Sequence, residues 1–137
     1  MILADTSAWI GYVRGDGTPA ALRLRELVDR DDGALVVTAP VEMEVLVGAR
    51  HPKHEKELRH LLSRGRPLQF DATVDFDAAA GIYRSCRRVG VTPRGIVDCM
   101  IAAVALRRGA SLLAHDVDLD RVAGVMGITM DEGSLRA

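Results

Sequence analysis

The sequence predicts an α/β fold, a three-layer α/β/α sandwich with a central, mostly parallel sheet. Three observations predict it. Short apolar runs at Ile2–Ala4, Ala34–Thr38 and Leu112–Ala114 alternate with longer amphipathic stretches. Uninterrupted apolar runs of this length suit strands covered on both faces. Two of the runs also end in acids: Ala4 leads into Asp5-Thr6-Ser7, and Ala114 into His115-Asp116-Val117-Asp118. In an open parallel sheet, ligands bind beyond the carboxyl ends of the strands, so acids from both ends of the chain can meet at one edge.

The elements follow in order. Residues 2–5 read as a first strand. Pro19 to Arg30 places Ala21, Leu22, Leu24, Leu27 and Val28 at helical spacing, and Asp31-Asp32-Gly33 breaks it. Residues 34–38 form a second strand. Thr38-Ala39-Pro40 starts a helix with Val41, Val45, Leu46 and Ala49 on its apolar face. His51 to Arg64 is a charged amphipathic helix, and Pro67 to Phe70 is a third strand. Thr73 to Val89 is a helix whose expected inner face is Phe76, Ala79, Ala80, Ile82 and Tyr83. Pro93 opens a strongly apolar helix over Ile96 to Arg108, since proline suits the first turn. Residues 112–114 are a fourth strand, Leu119 to Met126 a short helix, and Ile128 to Met130 a last strand.

With 137 residues, no repeat and no linker, the chain reads as one domain over 1–137. Aromatics make up only 4%, so Leu, Val, Ile and Ala must build the core. The net charge of −1 gives no global nucleic-acid signal. Attraction to phosphate must therefore come from local patches or from bound metal. Cys86 and Cys99 form no CxxC pair and read as small buried apolar residues, which suits a reducing compartment. There is no basic leader and no membrane-length apolar segment, so a soluble, cytoplasmic protein with no membrane partner is expected.

The acids carry the chemistry. Asp5 ends a buried strand, where it is either a helix N-cap or a site acid. Glu42 and Glu44 stand two apart on one helix and point in different directions, so at most one faces the sheet edge. Asp98 sits in the apolar helix Ile96-Val97-Asp98-Cys99-Met100-Ile101. An unpaired carboxylate there costs several kcal/mol, roughly, unless a partner or ion compensates. The structural alternative is a pair with Arg94, one turn earlier. Asp116, Asp118 and Asp120 imitate a calcium loop, but Arg121 and Gly127 stand where that loop needs Gly and Glu. Asp116 is the better ligand, Asp118 assists, and Asp120 is expected to be solvated. Asp131 and Glu132 read as surface acids, as do Asp16, Asp29, Asp31, Asp32, Asp75 and Asp77.

No nucleophile elbow, Gly-rich phosphate loop or H-E-x-x-H spacing is present. His51, His54 and His60 read as surface residues, and His115 as a turn residue. An oxygen-only cluster suits a hard cation, Mg2+ or Mn2+.

Four motifs in order resemble the PIN-domain ribonucleases, specifically the VapC-type toxins of bacterial toxin–antitoxin pairs. Ile2-Leu3-Ala4-Asp5-Thr6-Ser7-Ala8-Trp9 is similar to the first-strand motif with its first metal-binding acid. Glu44-Val45-Leu46-Val47-Gly48 resembles the second, and its spacing selects Glu44 over Glu42. Asp98-Cys99-Met100-Ile101-Ala102-Ala103-Val104-Ala105 resembles the third, and residues 112–119 the fourth. Ala114 departs from the Thr or Ser common in relatives, which leaves a nearby hydroxyl to Thr6 or Ser7. Leu119 stands where relatives often have Phe.

The resemblance implies a metal-dependent endoribonuclease acting on structured RNA such as tRNA or ribosomal RNA. It implies a homodimer, inhibited by a cognate VapB-type antitoxin. Carried over, the catalytic acids are Asp5, Glu44, Asp98 and Asp116, with Asp118 as an additional metal ligand. Thr6, Ser7 and Arg94 are candidate substrate contacts; Arg50, Lys53, Arg84, Arg87 and Arg88 are further candidates for phosphate. Activated water would attack phosphorus in line and leave 5′-phosphate and 3′-hydroxyl ends. Two alternatives stay open. A haloacid-dehalogenase-like phosphohydrolase would use Asp5 as nucleophile but needs an acid where Ser7 stands. A non-catalytic binding module would keep the fold without the chemistry.

Overall fold

Leu35, Val36 and Val37 follow one another in the sequence, and all three are buried. Successive strand side chains point to opposite faces, so helices must cover both sides of the sheet. The computed structural model, which describes residues 1–137, shows this arrangement. Its order is β1 (Ile2–Ala4), α1 (Thr6–Arg14), α2 (Pro19–Arg30), β2 (Leu35–Val37), α3 (Ala39–Val47) and α4 (Pro52–Leu62), then β3 (Arg66–Pro67), α5 (Asp75–Arg88), α6 (Ile96–Arg108), β4 (Ser111–Leu113) and α7 (Val117–Met126). No helix is long and apolar enough to cross a membrane.

The sheet runs β3-β2-β1-β4, and every pairing is parallel. From β1 the chain adds β2 and β3 on one side and β4 on the other. The direction of growth reverses between β1 and β4. Such a reversal opens a crevice beyond the strand ends, where open α/β sheets bind ligands. Ala4 pairs with Leu113, and the Asp5 amide donates to the Leu113 carbonyl at 2.8 Å. The sheet register thus brings Asp5 beside the segment that leads to Asp116.

The helices begin and end where local chemistry directs. Thr18 caps α2, its hydroxyl accepting from the Ala21 amide, and Pro19 follows as first helical residue. Gly15, Gly109 and Gly127 close α1, α6 and α7 in the left-handed region, which glycine enters without steric penalty. The core is Leu-, Val-, Ile- and Ala-rich, with Trp9 as its largest fully buried side chain. Both cysteines are buried and unpaired.

Several expectations need correction. The third strand is only Arg66–Pro67 rather than 67–70, although the Leu68 amide still donates to the Val37 carbonyl at 2.7 Å. Proline has no amide hydrogen to offer, which confines it to this edge strand. The last strand, expected over 128–130, reduces to one parallel bridge between Leu112 and Met130. The helix expected from Thr73 starts at Asp75, and Phe76 is 54% exposed rather than internal. Phe76 packs edge-on against Phe70, ring centroids 4.9 Å apart, instead of entering the core.

Three acids expected at the surface are anchored. Asp75 is 0% exposed and takes a two-pronged grip from Arg107: Nε to Oδ1 at 2.9 Å and Nη2 to Oδ2 at 2.8 Å. That guanidinium holds the Asp75 carboxyl below its ordinary range. Asp131 is bound by Arg23, 108 residues away in sequence. Asp120 accepts from the Ala137 amide at 2.6 Å and tethers the C-terminal segment. In each case a distant partner decides, and no local pattern reveals it.

Truncating Arg107 leaves a buried, uncompensated carboxylate, which destabilises proteins by about 3 kcal/mol or more. Urea unfolding of Arg107→Ala should show that loss. A change under about 0.5 kcal/mol, the range of ordinary surface substitutions, would show that the pair is ornamental to stability.

Candidate active site

Asp5 leaves the buried end of β1 and is itself buried. It caps α1 as well: its Oδ2 accepts from the Ser7 amide at 3.1 Å and the Ser7 hydroxyl at 2.8 Å. The two sequence readings of Asp5, cap and site acid, are therefore compatible. One carboxylate oxygen serves the cap. The other, Oδ1, is buried without any hydrogen-bond partner. An unsatisfied buried carboxylate oxygen is costly and calls for a ligand.

Ser7 does a second job. Its Oγ accepts from the His115 amide at 2.9 Å while donating to Asp5. One hydroxyl thus ties the turn after β1 to the turn after β4, and Ala114 needs none. Thr6 reaches the other way and donates to Glu44 Oε1 at 2.6 Å. This bond separates the two glutamates of α3. Glu44 is turned to α1, whereas Glu42 lines a different cleft with Val37, Leu46, Arg59 and Leu62.

Asp98 occupies the first turn of α6. Its carboxyl is pushed up to about 7, chiefly by burial, then by the negative charges of Asp5, Asp116 and Glu44. Burial raises Asp5 too, partly offset by its Ser7 hydrogen bonds, with Asp116 and Glu44 adding repulsion. The four acids therefore act on one another through space. Desolvation and like charge both oppose ionisation, and a cation reverses both effects.

Arg94 does not pair with Asp98, the alternative raised for that acid. Its Nη2 donates to Asp116 Oδ2 at 2.9 Å, and its Nε lies 3.8 Å from Asp118 Oδ2. Asp116 also caps α7, with Oδ1 accepting from the Asp118 amide at 2.9 Å. Asp118 is half-exposed and bonded to Arg121 at 3.2 Å, so it stands at the rim.

The acids do not close into a finished cage of three or more metal-ligating groups. Ser7, Thr6 and Arg94 each hold one of them to a different neighbour. The donor set nonetheless suits a hard dication: all oxygen, mutually repelling, with the Asp5 Oδ1 unpartnered. Asp5, Asp98, Asp116 and Glu44 are the residues that could hold it.

A groove of about 350 Å³ runs from Glu44 between α1, α3 and α4, lined also by Ile10, Val13, Arg14, Arg50 and His54. Nothing in their own segments marks Arg14 and His54 as groove residues. Only packing of α1 beside α3 and α4 assembles them. His54 is half-buried, its Nδ1 accepting from the Arg50 amide at 3.1 Å, and so is more than a surface residue.

A parallel sheet with acids gathered at its switch point defines the class. A protein-family model described as PIN domain matches residues 2–125, and the chain belongs to that family. Within it the chain is a VapC-type member. It is 41% identical over 128 residues to VapC ribonuclease Mb1587 of Mycobacterium bovis, covering 93% of this chain and 96% of the relative. Ribonuclease VapC11 of Mycobacterium tuberculosis matches with the same identity and coverage. Among solved structures, a toxin-antitoxin complex from Klebsiella pneumoniae shares the fold. It has a TM-score of 0.67, 18% identity, and coverage of 98% of this chain and 96% of that one.

The raised Asp98 carboxyl has a pH consequence. Its value in the unfolded chain lies near 3.8 and in the folded chain at about 7. Folding is therefore favoured at acid pH, and that advantage disappears as pH rises through about 7. In the presence of chelator, this group should make the Tm fall between roughly pH 4 and 7 and level off above, and Asp98→Asn should flatten that fall. Equal slopes in the two proteins would contradict the assignment.

Proposed function

We propose that this chain is a metal-dependent endoribonuclease, the toxin of a VapBC-type pair, which cleaves structured RNA such as tRNA or ribosomal RNA. The observation that carries the proposal is the convergence of Asp5, Glu44, Asp98 and Asp116 on one sheet edge, with Asp5 Oδ1 buried and unsatisfied. The curated VapC relatives, named as ribonucleases, support the reading. They also favour it over a phosphohydrolase or a non-catalytic module, as does Ser7 standing where the phosphohydrolase needs an acid.

Asp5, Glu44, Asp98 and Asp116 would hold Mg2+ or Mn2+, with Asp118 assisting from the rim. Such an ion supplies Lewis acidity: it makes water a stronger acid and stabilises charge on phosphoryl oxygens. The chain's own residues do the positioning. Ser7 fixes the Asp5 carboxylate and the His115 turn together, and Thr6 fixes Glu44. Buried neighbours around Asp5 and Asp98 keep out water that would screen the charges. In-line attack by water opposite the 3′-oxygen would form the new P–O bond, break P–O3′ and leave 5′-phosphate and 3′-hydroxyl ends, without using the substrate's 2′-hydroxyl. RNA must then be chosen by contacts other than those of the acids themselves, for which Thr6, Ser7, Arg94 and the cations of the Glu44 groove are the candidates.

A VapB-type antitoxin and a homodimeric assembly belong to the same reading. The exposed apolar side chains of Ile10, Val13, Met43 and Val47 on α1 and α3 give a partner chain something to cover. The free cysteines are consistent with a cytoplasmic setting.

Asp98→Asn should lower RNA cleavage about a hundredfold or more with the circular-dichroism spectrum unchanged, because even neighbours of metal ligands cost that much. Undiminished cleavage would sink the reading. Glu44→Gln should also inactivate, whereas Glu42→Gln should leave the rate unchanged. Sequencing fragment ends tests the chemistry: 2′,3′-cyclic phosphates in place of 3′-hydroxyls would refute water attack.

A further inference from the structure

We propose that Arg94 is a built-in counterion that occupies the candidate ion site's Asp116 in the ion-free protein and must move off it when a divalent ion binds. The inference rests on the reading that the acid edge takes such an ion.

The geometry singles out one atom. Asp116 Oδ1 is committed to capping α7, where it accepts from the Asp118 amide. Oδ2 is the oxygen left for an outside ligand, and the Arg94 guanidinium holds it at 2.9 Å. Arg94 makes no other hydrogen bond, and its remaining ion pair is the long one to Asp118. It gives little to Asp98, although only four residues away. On the Asp98 carboxyl, the lowering by Arg94 is the weakest of the influences, behind three like charges and burial. Arg94 thus neutralises Asp116 and does little to compensate Asp98.

Magnitudes make the contact reversible. The Arg94 side chain is 69% exposed and lies in the connection between α5 and α6. Ion pairs with one partner so open to water are weak and screened by salt. A wholly buried pair would be a permanent lock; this one can yield to a dication with twice the charge. Once displaced, the guanidinium stays beside the site with its planar fork free, the geometry that grips a phosphate through two parallel hydrogen bonds. Arg94 is on this account a positioning residue. It steadies Asp116 before the ion arrives and is released toward substrate afterwards.

Two measurements test it without recourse to cleavage. Calorimetric titration with Mn2+ should show Arg94→Ala binding about fivefold more tightly than the wild type, because no internal cation competes. Equal or weaker binding by Arg94→Ala overturns the proposal while leaving the metal reading intact. Absence of Mn2+ binding by both proteins overturns the two together. In the wild type, the Arg94 guanidinium resonances, assigned by comparison with Arg94→Ala, should move toward solvent-exposed values on adding Mg2+. Resonances unmoved at saturating Mg2+ overturn the proposal even if the variant proves too unstable to titrate.

Discussion

Mutual repulsion of carboxylates in a partly dry setting is the constraint around which this molecule is organised. Asp5 is buried and Asp98 half-buried, and each feels the charges of Glu44 and Asp116. Left to themselves, such groups would take up protons or move apart. The neighbouring residues counter this separately at each acid: Ser7 holds Asp5, Thr6 holds Glu44, and Arg94 holds Asp116. Only Asp98 has no such support, and burial together with three like charges pushes its carboxyl up to about 7. The edge therefore remains under electrostatic tension that a cation would relieve.

That tension is affordable because the rest of the fold is apolar and firmly registered. Backbone pairing of three-residue strands places Asp5 beside the end of β4. The core beneath them is a close-packed set of Leu, Val, Ile and Ala side chains. Away from the site, the charged residues that are buried find full partners. Asp75 has Arg107, and Asp131 has Arg23. The contrast is informative: where acids serve structure they are matched by arginine, and where they gather at the switch point one oxygen is left unmatched.

Two of the site acids also cap helices, Asp5 for α1 and Asp116 for α7. Capping fixes each carboxylate through the amide two residues on, and leaves its second oxygen for other work. A single residue thus starts a helix and keeps an oxygen free of it. This is why local sequence cannot separate an N-cap from a candidate site acid: at these positions the two descriptions are compatible.

Consecutive residues are enough for the parallel α/β class, most of the strands and helices, and the acids at two strand ends, although α1 over Thr6–Arg14 is not among the expected elements. Those features depend on local periodicity and on hydrophobic runs, which are written in consecutive residues. The same holds for Asp98, conspicuous because an acid in so apolar a helix needs a reason. Tertiary structure alone decided what distant residues do to one another. It turned Asp75, Asp120 and Asp131 into anchors and shortened the third strand at an edge that Pro67 cannot extend. It reduced the last strand to one bridge and turned Phe76 outward onto Phe70. It gave Glu44, already marked by its spacing before Gly48, a hydroxyl partner 38 residues away and gave Arg94 to Asp116 instead of to Asp98. The physical reason is common to all: hydrogen bonds and ion pairs between side chains depend on where the backbone brings two segments, and no single segment contains that information.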